Sequence, residues 1–273
     1  MPNWINDLIM GPAYTIGWAI WDFAMAMITG IAATTPEEFS REAWQFVTET
    51  LYPWSLGIGV LLLNVFFFIG FLRENSNLKQ NYTIEILVNA FIKVIMANTI
   101  MRSGIELMRG FFLMAARLAG QVLIVQPPAF TPEDKDFGTY LFFFIAGVLY
   151  VLVAIVCAIL MLLTVYGRYL KLYVMVVLAP IALSTWAGGR GIENSAYAWI
   201  RTFLANTMEI VIIAIIIAIG GRLINSIDFG TMIDGLGQFI DGFGAIIQSL
   251  MTMVLMTAAV KSADVYLKRG FNL

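Results

Sequence analysis

Histidine is absent from the 273-residue chain, and cysteine occurs once, at Cys157 in the middle of an apolar run. The chain therefore cannot supply a histidine base, a histidine-ligated metal, a disulfide framework or a Cys/His nucleophile. Charge is also scarce: 12% of the residues are charged, against about 25% in a typical soluble domain. The sequence has no phosphate-binding loop, zinc-protease motif or serine-hydrolase elbow. We expect no enzyme activity, no cofactor and no metal.

Hydrophobic residues make up 60% of the chain, and its mean hydropathy is +0.84. A soluble domain usually has about 45–50% apolar residues, so this chain is predicted to lie in a membrane. Its 16 Lys and Arg against 18 Asp and Glu give a formal charge of −2, which argues against an ordinary soluble nucleic-acid-binding domain. We predict an all-α, polytopic integral membrane protein whose first partner is the lipid bilayer.

About five transmembrane helices are predicted. Residues 53–72 are the clearest example, because they carry no charge over about the 20 residues needed to cross a hydrocarbon core of about 30 Å. The predicted spans lie near 53–72, 104–125, 139–166, 199–221 and 243–260. Residues 1–52 are predicted to form an amphipathic N-terminal region with an acidic linker or short helix at 34–52, and residues 53–273 the multi-span domain. The tryptophan-rich stretch 4–31 fits either a crossing or a headgroup position.

Residues 82–125 mix apolar and charged residues, and they predict two helices with a break near 98–103. The first helix is expected at the interface and the second across the bilayer. Ser103 and Glu106 have the spacing of a capping box at the start of the second helix. From there, five residues fall three or four positions apart on one face: Glu106, Gly110, Leu113, Arg117 and Gln121. This mostly polar face is expected to meet protein or water rather than lipid.

Pro180 interrupts the apolar stretch that follows the span at 139–166. Proline removes a backbone hydrogen bond, so a helix is expected to bend or end there. In a membrane such a break is tolerated against protein or water. Because Arg168 and Lys171 precede it, we expect a re-entrant or interfacial element on the cytoplasmic side.

The orientation is predicted from the basic residues, which collect at the cytoplasmic ends of spans. The net basic segments are residues 73–80, residues 167–171 and the tail with Lys261, Lys268 and Arg269. The net acidic segments, at 34–52, 126–138 and 225–242, are expected outside. We predict a multi-pass protein of the cytoplasmic membrane with a cytoplasmic C-terminus.

Charged residues near the spans are the functional candidates. Arg102, Arg109 and Arg117 either line a conduit for a polyanion or pair with Glu106 and reach toward the headgroups, and the sequence leaves both open. Glu209 lies well inside a span, where a carboxylate is costly and usually functional.

Arg201 lies two turns before Glu209 on about the same face, with Asn206 nearby. A contact between helices or subunits is therefore the favoured interpretation of Glu209. The alternative is a self-contained secondary transporter or ion channel that uses Glu209. Transporters usually show matching broken helices in two halves, and no second break like that at Pro180 occurs in the N-terminal half.

Residues 166–224 resemble the TrbL family, the polytopic inner-membrane channel subunit of type IV secretion and conjugation machines. The resemblance rests on a combination: a long apolar span, Arg168 and Lys171, the string LAPIALSTWAGG at 178–189, a polar turn with Tyr197, and a span that opens with Trp-Ile-Arg at 199–201. The layout of the whole chain resembles the small members of Gram-positive conjugative elements.

The resemblance implies a subunit that forms a ring-like homo-oligomer and assembles with other secretion subunits, including an ATPase. Together they would form the passage for single-stranded DNA with its attached relaxase. No catalytic residues carry over. The candidate residues for the conduit or for subunit contacts are Arg102, Glu106, Arg109, Arg117, Arg168, Lys171, Pro180, Arg201, Asn206 and Glu209.

Overall fold

A computed structural model describes residues 11–75, 84–123, 137–189, 191–225 and 243–270. Within these ranges the regular elements are helices, numbered here along the chain. They are α1 (Gly11–Ala32), α2 (Pro36–Phe39), α3 (Arg41–Gln45), α4 (Tyr52–Asn75), α5 (Ile84–Arg102), α6 (Gly104–Val122), α7 (Phe137–Ser184), α8 (Asn194–Asn225) and α9 (Phe243–Gly270). A π-helical turn, Phe46–Leu51, joins α3 to α4, and a 3-10 turn, Thr185–Gly188, follows α7.

The prediction of an all-α, polytopic membrane protein is confirmed. In the described part of the chain, five helical stretches are long and apolar enough to cross a bilayer: Ala13–Ala32, Arg41–Leu72, Ile145–Gly188, Asn194–Leu223 and Ile246–Gly270. Four of them overlap predicted spans, and the other is the N-terminal stretch whose crossing the sequence left open. The predicted span at 104–125 is not among them, because α6 carries Glu106, Arg109 and Arg117 among its apolar residues.

Helix α7 corrects the expectation at Pro180. The helix neither ends after residue 166 nor breaks at the proline but continues to Ser184, and its 48 residues extend about 72 Å at 1.5 Å per residue. The neighbouring helix α4 packs tightly at this point. A Cβ added to Gly59 would lie 2.7 Å from the carbonyl oxygen of Pro180. Close packing of this kind allows a helix in a membrane to continue through a proline.

Helices α5 and α6 meet at Ser103, within the predicted break at 98–103. Helical hydrogen bonds continue across the bend: the Ser103 N–H donates to the Thr99 carbonyl at 3.0 Å, and the Leu107 N–H donates to the Ser103 carbonyl at 3.2 Å. The Ser103 hydroxyl, which a capping box would use as an acceptor, donates instead to the Thr99 carbonyl at 2.8 Å. Because these backbone hydrogen bonds are formed, the amide groups at this bend do not need a side-chain cap from Ser103.

The segment 34–52, expected as an exposed acidic linker or short helix, is mostly helical and packs into the fold. A capping box forms here: the Thr35 hydroxyl accepts from the Glu38 N–H at 3.3 Å, and the Glu38 carboxylate accepts from the Thr35 N–H at 2.8 Å. Trp44 and Tyr52 are buried. The Tyr52 hydroxyl donates to a backbone carbonyl of α5 at 2.5 Å, which joins this segment to that helix.

The chain divides into two compact units. The first consists of Met1–Ala33, Arg117–Gly167 and Ile210–Asp264, and the second of Thr34–Ala116, Arg168–Glu209 and Val265–Leu273. Inside the first unit, the Tyr150 hydroxyl and the Ser249 hydroxyl are hydrogen-bonded at 2.8 Å. The core of the second unit includes Trp44, Phe112 and Phe203, whose rings pack against one another. The predicted domain boundary at residue 52 stays a prediction.

Within the second unit, the C-terminal end of α4 lies beside the C-terminal end of α7. A Cβ added to Gly70 would lie 2.8 Å from the Ala187 carbonyl oxygen, just beyond the end of α7. The crossing predicted within residues 82–125 stays a prediction.

Several predicted segments lie outside the described residues. These are the N-terminal residues 4–10, most of the basic segment 73–80, most of the loop 126–138, the Gly- and Asp-rich loop 226–242 and the last residues of the tail.

Candidate functional site

The most buried carboxylate of the candidate set is Glu209 on α8, whose residue is 1% exposed. Its Oε1 atom lies 3.9 Å from the Nζ atom of Lys171 on α7. The sequence predicted Arg201 as its partner, but Arg201 is exposed on the first turns of α8. The predicted contact between helices is therefore present, but its cation is Lys171 and not Arg201. Lys171 is the partner because α7 continues past residue 166 and carries it alongside α8.

Arg168, one turn before Lys171, is 3% exposed. Its Nη2 atom donates to the Thr207 backbone carbonyl of α8 at 3.3 Å, and its guanidinium carbon lies 5.1 Å from the centre of the Tyr169 ring. The Glu209 carboxylate acts on it electrostatically. Its Nε and Nη1 atoms have no hydrogen-bond partner within the described ranges. A buried guanidinium with two open donors can bind a further acceptor, such as a water molecule.

Arg168, Lys171 and Glu209 together form what we call the buried charge cluster. It holds two cations and one anion on two helices that are otherwise apolar; Arg168 and Glu209 are buried, and Lys171 is about half exposed. Buried charges are costly unless they are paired, so such a cluster in a membrane protein ordinarily serves assembly or transport. The sequence placed Arg168 and Lys171 at the cytoplasmic end of a span. They lie instead within α7, where Glu209 and the Thr207 carbonyl compensate their charge.

Tyrosines of α7 join this helix to the segment before α3. The Tyr169 hydroxyl donates to the Thr34 carbonyl at 3.0 Å, and the Tyr169 ring stacks on Phe39 with ring centres 4.0 Å apart. The Tyr173 hydroxyl donates to the Pro36 carbonyl at 2.8 Å. Tyr169 is fully buried. Sequence spacing gives no signal for these contacts, because they join residues more than 130 positions apart.

Arg109 of α6 forms a second charged group with carboxylates. Its Nε atom lies 2.8 Å from Glu37, and its Nη1 atom lies 3.1 Å from Glu106. Its guanidinium carbon also lies 5.8 Å from the centre of the Trp44 ring. Of the two alternatives for Arg109, pairing with Glu106 is therefore observed, and Glu37 is a partner that sequence analysis did not single out. These side chains line an open cleft of about 410 Å³.

The remaining candidates are dispersed over the surface. Arg102, Arg117 and Arg201 are exposed, and within the described ranges none of them forms an ion pair with a carboxylate. The Arg102 Nε atom donates to the Asn98 side chain at 3.4 Å. The Asn206 Nδ2 atom donates to the Thr202 carbonyl of its own helix at 2.8 Å. This hydrogen bond stays within α8 and does not involve Glu209.

The polar face predicted for α6 is exposed along its whole length. Its five residues, Glu106, Gly110, Leu113, Arg117 and Gln121, are all exposed in the chain. On the opposite face Met108, Phe112, Ala115 and Ala119 are buried. The helix is therefore anchored through its apolar face and presents a charged face outward.

Among the described residues, no group of three His, Cys, Asp or Glu side chains is arranged to hold a metal ion. Comparisons with models of protein families, with curated proteins and with solved structures find no match to this chain.

Proposed function

We propose that the chain is a channel or scaffold subunit of a type IV secretion machine in the cytoplasmic membrane. In this role it helps to form the path for single-stranded DNA with its attached relaxase. The string LAPIALSTWAGG and the residues around it supply the resemblance to the TrbL family. The observation that carries the proposal is the exposed charged face of α6 on a chain that is otherwise strongly apolar.

This face needs protein or water next to it. Glu106, Arg117 and Gln121 lie on a helix that belongs to a membrane protein, and charged side chains are unfavourable against hydrocarbon. Without a hydrophobic driving force between helices in lipid, polar side chains are among the groups that join transmembrane helices. A face of this kind is suited to contact with further copies of the chain, with other subunits or with an aqueous passage.

Crosslinking to the transferring DNA tests the proposal. A donor strain carries an epitope-tagged copy, mating cells are treated with formaldehyde, and the precipitated protein is tested for the transferred strand by quantitative PCR. We expect enrichment of that strand over a chromosomal control locus, and only when the relaxase is active. Equal recovery of both DNAs from cells that transfer normally would contradict a role in the DNA path.

The buried charge cluster favours a second candidate, a secondary transporter or ion channel that uses Glu209. A carboxylate that is 1% exposed beside two cations is an arrangement found in ion and proton pathways. Purified protein in proteoliposomes distinguishes the two functions. Ion or proton flux that is lost in Glu209→Gln would support the transporter, and the secretion subunit predicts no such flux.

A further inference from the structure

The charged face of α6 extends over most of the helix, and the opposite face is buried in the protein. At 1.5 Å per residue, the 19 residues of α6 extend about 28 Å. The hydrocarbon core of a bilayer is about 30 Å thick. The helix is therefore long enough to present this face from one side of the core to the other. The residues of the face are Glu106, Gly110, Leu113, Arg117 and Gln121.

Hydrocarbon is an unfavourable neighbour for this face. The Glu106 side chain is 74% exposed, and Arg117 is exposed without an ion pair among the described residues. Charged side chains in the hydrocarbon core are costly and almost always face protein or water. Helix α4, in contrast, exposes Leu61, Val65 and Phe68, which suit contact with lipid. The exposed faces of α4 and α6 therefore need different surroundings.

The same face of a second copy is also an unfavourable neighbour. Copies of a membrane protein share one orientation in the bilayer, so their α6 helices are parallel. Direct contact about a two-fold axis along the membrane normal would place Glu106 beside Glu106 and Arg117 beside Arg117. Like charges at such positions repel. The unlike charges cannot pair instead, because Glu106 and Arg117 are about 16 Å apart along the helix axis.

The two arginines of α6 differ in how their charge is compensated. Arg109 is paired with Glu37 at 2.8 Å and with Glu106 at 3.1 Å. Arg117 lies two turns further along the helix and forms no such pair within the described ranges. Arg117 is therefore the cation of this helix whose charge is left to the surroundings. Water solvates such a group, and a mobile anion can approach it.

We propose that the charged face of α6 borders a water-filled passage across the bilayer, and that Arg117 supplies the positive charge that a passing polyanion meets. Around such a passage, the same residues of different copies are separated by water, so like charges do not touch. Cationic side chains that line a pore favour anions. The identity of the polyanion rests on the proposed secretion function. The presence of water along α6 can be measured whether or not the chain transfers DNA.

Cysteine accessibility tests for water along the face. The buried Cys157 is replaced in the variant Cys157→Ala, or in Cys157→Ser if the first is unstable. Single cysteines are then introduced by Leu113→Cys or Arg117→Cys and, as controls on α4, by Leu61→Cys or Phe68→Cys. Membranes are treated from both sides with a charged, membrane-impermeant methanethiosulfonate. Because the thiolate is the reactive form and needs water, we expect modification at least tenfold faster on α6 than on α4.

Two results would overturn the passage. Equal modification rates on α6 and α4 would show that lipid or another protein covers the charged face. Fast modification on α6, together with topology reporters after residues 78 and 130 on the same side of the membrane, would place α6 outside the bilayer. Fast modification with the two reporters on opposite sides supports the proposal.

Charge reversal tests the role assigned to Arg117. The control is Arg222→Glu, which reverses an exposed arginine of α8. We expect conjugation to fall at least tenfold in Arg117→Glu donors and to be retained in Arg117→Lys and Arg222→Glu donors, at equal amounts of protein in the membrane. Equal transfer by the Arg117→Glu and Arg222→Glu donors would remove this role from Arg117. If deletion of the gene leaves transfer unchanged, the secretion function fails, and the cysteine rates still decide whether α6 faces water.

Discussion

The Glu209 carboxylate lies 3.9 Å from the Lys171 ammonium of α7 and interacts electrostatically with Arg168, and these cations compensate its charge inside α8. Lys171 is about half exposed, so its contribution at 3.9 Å is weakened by solvent. Arg168 is fully buried and is the more demanding group, because two of its donors have no acceptor in the described part of the chain. Within the cluster, Glu209 is the anion that offsets the positive charge of the buried Arg168.

Glu209→Gln should therefore lower stability. Glutamine keeps the shape and one carbonyl acceptor but removes the charge that compensates Arg168, and a buried group left without its partner costs about 1–3 kcal/mol. Thermal unfolding in detergent, followed by tryptophan fluorescence, should show a lower midpoint. Glu106→Gln is the control, because the Glu106 side chain is 74% exposed, and its midpoint should change little.

Transfer activity shows whether this carboxylate is structural or reactive. Under the proposed secretion function, a structural role of the buried charge cluster predicts that conjugation by Glu209→Gln donors follows the amount of protein in the membrane. Loss of transfer at normal protein level would show that the carboxylate itself takes part in function.

Arg109 and Arg117 differ in environment, although they lie two turns apart on α6. Arg109→Glu would bring a third carboxylate close to Glu37 and Glu106 and would remove the contact with Trp44. We expect a lower unfolding midpoint for this variant and normal stability for Arg117→Glu. An equal change in both midpoints would mean that the Arg109 contacts do not contribute to the fold.

At the level of elements, α4 and α7 are in close backbone contact at Gly59. Gly59 faces Pro180 so closely that any Cβ would collide with backbone atoms, whereas nothing lies within 4 Å of a Cβ added at Gly57. This contact is also where α7 continues through its proline.

Gly59→Ala should destabilise the protein, and Gly57→Ala should not. Alanine is favoured over glycine in a helix interior by up to about 1 kcal/mol, so Gly57→Ala is expected to be neutral or stabilising. At Gly59 the overlap outweighs that gain. Unfolding midpoints of the two variants measure the difference, and equal midpoints would mean that α4 is not packed against Pro180.

Sequence reasoning located the elements better than it located their ends. The bend between α5 and α6 and the polar face of α6 follow from spacing along one helix, so both could be predicted. The length of α7 could not, because the Gly59 contact and the pairing of Lys171 with Glu209 join distant parts of the chain. For the same reason the cation at Glu209 was predicted within its own helix instead of on α7.

At the level of the whole molecule, the fold class follows from composition, and the crossing predicted within residues 82–125 stays a prediction. That crossing would connect the cytoplasmic segment predicted at 73–80 with the outer loop predicted at 126–138. The segment 82–125 is the only predicted candidate for this crossing. Helix α6 is not among the helices apolar enough to cross a bilayer, because it carries three charged residues. These charges are compatible with a crossing in which other protein segments shield them from lipid.

Topology reporters test this crossing. Alkaline phosphatase or a fluorescent protein is fused after residue 78 and after residue 130, and the same reporters are placed at the C-terminus. We expect the first and last fusions to report a cytoplasmic position and the fusion after residue 130 an external one. Fusions after residues 78 and 130 on the same side would show that α5 and α6 do not cross.

The central claim is that the chain is a subunit of a conjugative secretion machine, and mating frequency tests it most directly. Donors with an in-frame deletion of the gene are compared with the same donors that carry the intact gene on a plasmid. The proposal predicts that transfer falls by several orders of magnitude in the deletion strain and returns on complementation. Unchanged transfer in the deletion strain would contradict the proposed function.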